Sequence, residues 1–248
     1  VRKVLRNQAF LWEAGSGIQG LGALEGDVAS FACGITRDGK TISGYSVGDQ
    51  RIRACVWEKR GERWEATALP HATRLGSQVV PISDDGRYVA ATDGAIPCLW
   101  TRGESNGWTR EAIGEAGALI PRAVNNRGTV VGIRYPDDGN TQAVIWTRDK
   151  GCKRLRPPTD YGKSEATDVN NDDVVVGMLD GPNVSDKGPR AFLYENGRLR
   201  LIEEGGPTFV AANAINDRGQ IAGVMEDEGD EEKPAAPDAK TPAPPAKP

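Results

Sequence analysis

The stretch Arg190 to Gly223, RAFLYENGRLRLIEEGGPTFVAANAINDRGQIAG, decides the fold. It contains two hairpin patterns. Ala191 to Tyr194 and Leu199 to Ile202 flank Asn196-Gly197, and Ala211 to Ile215 and Gln220 to Gly223 flank the turn Asn216 to Gly219. Apolar runs around Asn-Gly and Asp-x-Gly favour tight antiparallel turns, because glycine reaches positive φ without steric cost. One such unit supplies four short strands, named a (through Ile215), b (through Ile221), c (through Phe192) and d (through Leu199).

The unit recurs. An apolar triplet ending in an aromatic appears as Phe10-Leu11-Trp12, Cys55-Val56-Trp57, Cys98-Leu99-Trp100, Val144-Ile145-Trp146 and Phe192-Leu193-Tyr194, with aromatic steps of 45, 43, 46 and 48 residues. An apolar residue four before the end of a turn appears as Ile35, Ile82, Val124, Val169 and Ile215, with steps of 47, 42, 45 and 46. Two markers holding one period near 45 residues over five copies define a repeat. Each turn opens on Thr36, Ser83, Asn125, Asn170 or Asn216, whose side chains bond the backbone two residues on. Four turns close on glycine and one on Asp173, a residue type that tolerates left-handed φ. Strand b then ends on a small residue, Gly44, Ala91, Gly132, Gly177 or Gly223, which suits backbones crowded near an axis.

A four-stranded repeat of this period has the size of a β-propeller blade. The chain begins with a c-d pair around Trp12 and its last hairpin is an a-b pair around Ile215. The fold class expected is therefore all-β: a five-bladed β-propeller of four-stranded antiparallel blades over residues 1–225, closed by the N-terminal and C-terminal hairpins sharing one blade, with a fragment of a longer ring as the rival reading. Burial of the strand c aromatics anchors each blade, at an upper bound of about 4 to 6 kcal/mol apiece.

Composition narrows the function classes. The chain has 248 residues, 31 glycines and a formal charge of −4. Residues 226–248 carry seven acidic residues and three lysines, so the remainder balances at 28 basic and 28 acidic. A balanced fold presents no strong field to polyanions, which argues against nucleic acid as a partner. No apolar run approaches a membrane span, so no membrane insertion is expected. Val1 to Gln8 is basic without an apolar core, and no signal peptide is read there. Residues 226–248, an acidic run followed by a tail with six prolines from Lys233 on, read as a disordered spacer.

The repeats resemble the HAF-type repeats of extracellular bacterial proteins, on the pattern AFLWE, an Ile-Asn-x-x-Gly turn and Val-Val-Gly. The naming triplet stands here as Gln8-Ala9-Phe10 and Arg190-Ala191-Phe192, without its histidine. The resemblance covers residues 8–225, implies an extracellular or periplasmic repeat protein, and brings no catalytic residues. The order of strands is also similar to that of WD-repeat propellers, without their Gly-His and Trp-Asp signatures.

Residues that would carry chemistry are sparse. His71 is the single histidine and reads as a solvated loop residue. Cys33, Cys55, Cys98 and Cys152 have no C-x-x-C spacing, and Cys55 and Cys98 occupy apolar strand positions, so no zinc site and no cofactor is expected. Acidic turns such as Ser83 to Gly86 lack calcium-loop spacing and serve turn geometry. Variable-length connections b-c and d-a fall on one face, where binding on a rigid ring usually resides. Tyr135, Asp137, Tyr161 and Asp180 are the ligand-binding candidates there, beside Asp138, Lys163 and Glu203. The expectation is a monomeric, non-enzymatic binding scaffold for a protein or glycan ligand. A ring of five repeats resembles the tachylectin-type lectins. The alternative is a five-bladed glycoside hydrolase using Asp137, Asp160, Asp180 or Glu203 as paired carboxylates at the channel mouth.

Overall fold

The structure is a computed structural model and describes residues 7–72, 75–76, 79–105, 107–136, 139–157, 161–181, 188–202 and 208–226. The spacer expected at 226–248 lies outside the described residues from 227 on, and Glu226 is the last residue of a strand.

Nineteen strands are described, in the order β1(Phe10–Glu13), β2(Gly17–Gly20), β3(Ala29–Ile35), β4(Thr41–Gly48), β5(Arg51–Arg60), β6(Arg63–Ala68), β7(Tyr88–Asp93), β8(Ile96–Arg102), β9(Trp108–Ala112), β10(Ile120–Val124), β11(Val130–Arg134), β12(Gln142–Thr147), β13(Gly151–Arg154), β14(Lys163–Val169), β15(Val175–Asp180), β16(Arg190–Glu195), β17(Arg198–Leu201), β18(Thr208–Ile215) and β19(Ile221–Glu226). No helix occurs among the described residues. The strands form antiparallel meanders: four-stranded sheets β3–β6, β10–β13 and β14–β17, a three-stranded sheet β7–β9, and two-stranded sheets β1–β2 and β18–β19.

Repetition extends to register. Strand b meets strand c at Gly44↔Cys55, Ala91↔Cys98, Gly132↔Val144 and Gly177↔Phe192. In β3, β10, β14 and β18 a bulge interrupts the pairing with strand b. There a carbonyl oxygen, of Phe31, Ile120, Glu165 or Ala211, lies where a Cβ on Gly44, Gly132, Gly177 or Gly223 would stand. The glycines are therefore a consequence of the bulge, which bends strand a and brings its backbone over strand b.

One expectation is corrected. In the second unit the described part of strand a makes only the isolated bridges Leu75↔Asp93 and Ile82↔Val89; Pro81 has no N–H to donate, and its carbonyl accepts the Ala90 N–H at 3.1 Å. With no bulged strand above it, Ala91 keeps its methyl group. The terminal hairpins form two two-stranded sheets, β1 with β2 and β18 with β19, and no ladder joins β19 to β1 among the described residues.

The core lies between adjacent sheets. Tyr45, Val56 and Leu69 meet Val89 and Trp100. Leu99 and Ile113 meet Val130 and Trp146. Ile145 and Leu155 meet Val175, Leu179 and Phe192. Trp57 and Trp100 are fully buried and Trp146 is 7% exposed, and the Trp100 indole N–H donates to the Pro70 carbonyl at 2.9 Å. Cys55 and Cys98 are fully buried among these residues, as their strand positions require. Hydroxyls tie neighbouring sheets: the buried Ser43 Oγ donates to the Val80 carbonyl at 2.6 Å, and the half-buried Thr167 Oγ1 to the Ala212 carbonyl at 2.6 Å. One ionic group among the described residues is fully enclosed. Asp27 has a side chain with no exposure, held by Arg53 at 2.8 Å and Arg51 at 3.2 Å.

Candidate functional site

The five a-b turns converge on one face and are joined in a circuit. Arg37 N–H donates to the Asp84 carbonyl at 3.0 Å, and Asp85 N–H to Asn126 Oδ1 at 3.0 Å. Asn126 N–H donates to Asn171 Oδ1 at 2.8 Å, and Asn171 N–H to Asp217 Oδ1 at 2.9 Å. The Arg37 guanidinium completes the circuit, reaching Asp217 at 3.0 Å and Asp84 at 2.5 Å. The second residue of each turn thus clamps its neighbour. Inside the circuit lies a cavity of about 360 Å³ lined by residues of all five turns.

The electrostatics of this mouth are mostly internal. Hydrogen bonds to Asp84 and Asp217 raise the Arg37 pKa. The backbone and side-chain N–H groups of Asn171 hold the Asp217 carboxyl below the ordinary carboxylate range, with Arg37 adding to the effect. Asp168 stands where the other copies have Gly34, Pro81, Ala123 and Ala214. Burial raises its pKa, against hydrogen bonds accepted from the Ile215 and Val169 N–H groups, each at 2.8 Å. Each of these carboxylates therefore already serves a turn, a neighbouring unit or Arg37. Arg122 also lines the cavity and is exposed.

The long-connection face holds a second cavity of about 300 Å³. Tyr135, just beyond β11, and Asp180, at the end of β15, both line it, with Lys163 at the start of β14. The register sets Lys163 opposite Asp180. Tyr135 is 58% exposed, and Asp180 Oδ1 accepts the Gly181 N–H at 2.8 Å. Tyr161 is half-buried and packs against the Val175 and Phe192 cluster instead. Asp137, Asp138, Asp160 and Glu203 lie outside the described residues. Two of the four sequence candidates are thus brought together.

No family model matches the chain, and no curated protein matches it. Solved structures do. A puromycin hydrolase crystal structure gives a TM-score of 0.53 at 12% identity, covering 86% of this chain and 35% of its own. TolB from Acinetobacter baumannii gives 0.49 at 13% identity, covering 79% of this chain and 48% of its own. A chain of a nidogen/laminin complex gives 0.47 at 16%, covering 86% and 80%. The present chain, all-β with repeated four-stranded antiparallel meanders, has a fold of the β-propeller-like repeat kind. Likeness at such identity concerns the fold alone, and the chain spans about half of TolB's length and about a third of the hydrolase's. The HAF-type resemblance rests on the residues quoted for it.

The remaining sequence candidates have plain surroundings. His71 is exposed with a φ of 59°. Burial raises the thiol pKa of Cys55 and Cys98, while Cys33 and Cys152 are exposed. Among the described residues no three His, Cys, Asp or Glu side chains are grouped to hold a metal, and no helix is long and apolar enough to cross a membrane.

Proposed function

We propose that the chain is a closed five-bladed propeller acting as a monomeric, non-enzymatic binding scaffold outside the cytoplasm, with a glycan or protein ligand seated on the long-connection face. The observation that carries it is the cavity where exposed Tyr135 adjoins Lys163 and Asp180: an aromatic platform beside two opposite charges on a rigid sheet frame. The extracellular or periplasmic setting follows from the HAF-type resemblance.

Closure of the ring is supported by the turn circuit, in which the first and last turns meet through Arg37 and Asp217. The b-c seam of the fifth blade would form by pairing β19 with β1 in the repeat register, Gly223 opposite Phe10. Phe10 and Trp12 are 59% and 61% exposed. A cavity of about 320 Å³ lined by Ala191, Ile202, Ala212, Ile221 and Gly223 lies beside β19, in the position that Phe192 fills at the preceding sheet.

A glycan array probed with the full chain tests the ligand reading, followed by calorimetry on any hit. Tyr135→Ala and Asp180→Ala are expected to weaken binding at least tenfold while leaving thermal stability unchanged. Binding that survives both substitutions refutes the assignment to this face.

A further inference from the structure

Three clefts between adjacent sheets are shut by an ion pair that follows one rule. The residue two beyond the strand c aromatic is basic and reaches back to an acid of the preceding unit: Lys59 to Glu13 at 3.9 Å, Arg102 to Glu58, and Arg148 to Glu111, with Nη1–Oε2 at 2.9 Å. Beneath these pairs Trp57, Trp100 and Trp146 are 0%, 0% and 7% exposed. The cleft between β10–β13 and β14–β17 breaks the rule on both sides. The basic position holds Asn196. Of the acids, Glu13 and Glu58 directly follow the aromatic and Glu111 lies on strand d opposite Leu99; their counterparts here are Thr147 and Lys153, neither of them acidic. The aromatic is the half-buried Tyr194, and the turn that closes on glycine in the other four copies closes on Asp173, at a φ of 61°. A cleft of about 470 Å³ stands open there, within the roughly 300 to 1,000 Å³ of small-ligand pockets.

Its walls carry recognisable chemistry. Lys153 Nζ lies 3.4 Å from the Tyr194 hydroxyl and 5.9 Å from its ring centroid. Lys150 stands at the rim, 3.7 Å from the exposed Asp149. Arg127 is held on Asp173 at 2.7 Å, and the same carboxylate accepts from Thr129 Oγ1 and Asn125 Nδ2. Asp172 and Asn196 are exposed on the opposite wall. Three cations face two carboxylates, one of them already bound by Arg127. Ammonium groups pair with a carboxylate, while an amide and an unengaged carboxylate take hydroxyls, and a tyrosine takes the apolar face of a ring. We propose that this cleft is a binding site for an acidic saccharide, a uronate-bearing oligosaccharide whose carboxylate lies between Lys150 and Lys153. The site is on the turn face, away from Tyr135 and Asp180, and goes beyond the reading given for them.

Titration of the full chain with trigalacturonate, against cellotriose as neutral control, tests it. Saturable binding of trigalacturonate, at least tenfold tighter than cellotriose and weakened by salt, is expected. The double substitution Lys153→Glu with Asn196→Arg installs the ion pair of the neighbouring clefts, and is expected to reduce affinity at least tenfold with an unchanged or higher thermal midpoint. Lys153→Gln, which removes the charge alone, gives the same direction should the double variant fold poorly. Tyr135→Ala leaves this binding unchanged. The proposal is overturned if trigalacturonate does not bind, if cellotriose or inorganic phosphate binds equally, or if binding is lost in Tyr135→Ala and kept in the cleft variants. The last result would leave the long-connection face standing as the site.

Discussion

Gly177→Ala tests the backbone geometry on which the repeat rests. An added Cβ collides with the Glu165 carbonyl oxygen and comes within 2.7 Å of the Phe192 ring. The first obstacle is backbone of the bulged β14 and the second is a fully buried ring, so neither yields as a flexible side chain would. Overpacking of this kind costs about 1 to 3 kcal/mol and more where backbone must move, so a loss of about 3 kcal/mol is expected. The matched control is Ala91→Gly, the same strand position in the unit whose described strand a makes only isolated bridges. It costs about 0.5 to 1 kcal/mol through backbone entropy. Urea unfolding followed by circular dichroism and tryptophan fluorescence measures both, provided that the two probes coincide. A Gly177→Ala loss below 1 kcal/mol, or one no larger than that of Ala91→Gly, refutes the reasoning.

Other consequences concern single buried groups. Trp100→Ala removes a fully buried indole and is expected to cost about 4 to 5 kcal/mol; Trp146→Ala, at 7% exposure, costs about 3 to 5 kcal/mol in the same assay. Trp100→Phe, which keeps a ring but leaves the Pro70 carbonyl without its donor, costs about 1 to 3 kcal/mol, and equal losses for the two Trp100 variants would contradict the packing account. Burial alone would raise the Asp27 carboxyl pKa, but hydrogen bonds from Arg53, Ser46 and Arg51 outweigh it and hold it below the ordinary value. A depressed carboxyl stabilises the fold above the unfolded pKa of about 3.9, and that contribution is lost as pH falls through the lower folded value. Asp27→Asn should therefore cost about 2 to 3 kcal/mol at pH 7, the buried-pair cost discounted for the exposed Arg51, and its penalty should shrink in melts below pH 4. A penalty constant down to pH 3 would contradict this assignment.

Much of the architecture was legible in the chain because its signals are local. Asn196-Gly197 and the turns ending at Gly39, Gly86, Gly128 and Gly219 fix hairpins within a few residues, and the triplets ending in Trp57, Trp100 and Trp146 mark strands whose burial follows from their alternation. The small residue ending strand b was also visible, although its cause, a bulge some 12 residues earlier in Gly132 and Gly177, was not. What escaped reading depends on pairs distant in sequence. Pro81 alone foretells the interruption of strand a in the second unit, yet a proline is tolerated at many strand edges. The cross-cleft acids Glu13, Glu58 and Glu111 lie 37 to 46 residues from their bases. Their bases were in plain sight two places beyond each aromatic, and the break at Asn196 is the signal that could have found the open cleft. Of the surface candidates, Tyr135 and Asp180 were reachable because both adjoin strand ends, whereas Tyr161 turned inward to fill core volume.

Ring closure is the claim on which both binding faces rest, and disulfide trapping measures it directly. Closure in the repeat register would set Leu11 of β1 opposite Ala222 of β19, within the Cα separation of about 4.4 to 6.8 Å that a disulfide needs. With the exposed Cys33 and Cys152 changed to serine, the Leu11→Cys, Ala222→Cys chain should oxidise rapidly to a monomer carrying one internal cross-link, detected by mass spectrometry. Free thiols, or cross-links only between two chains, would contradict a closed ring.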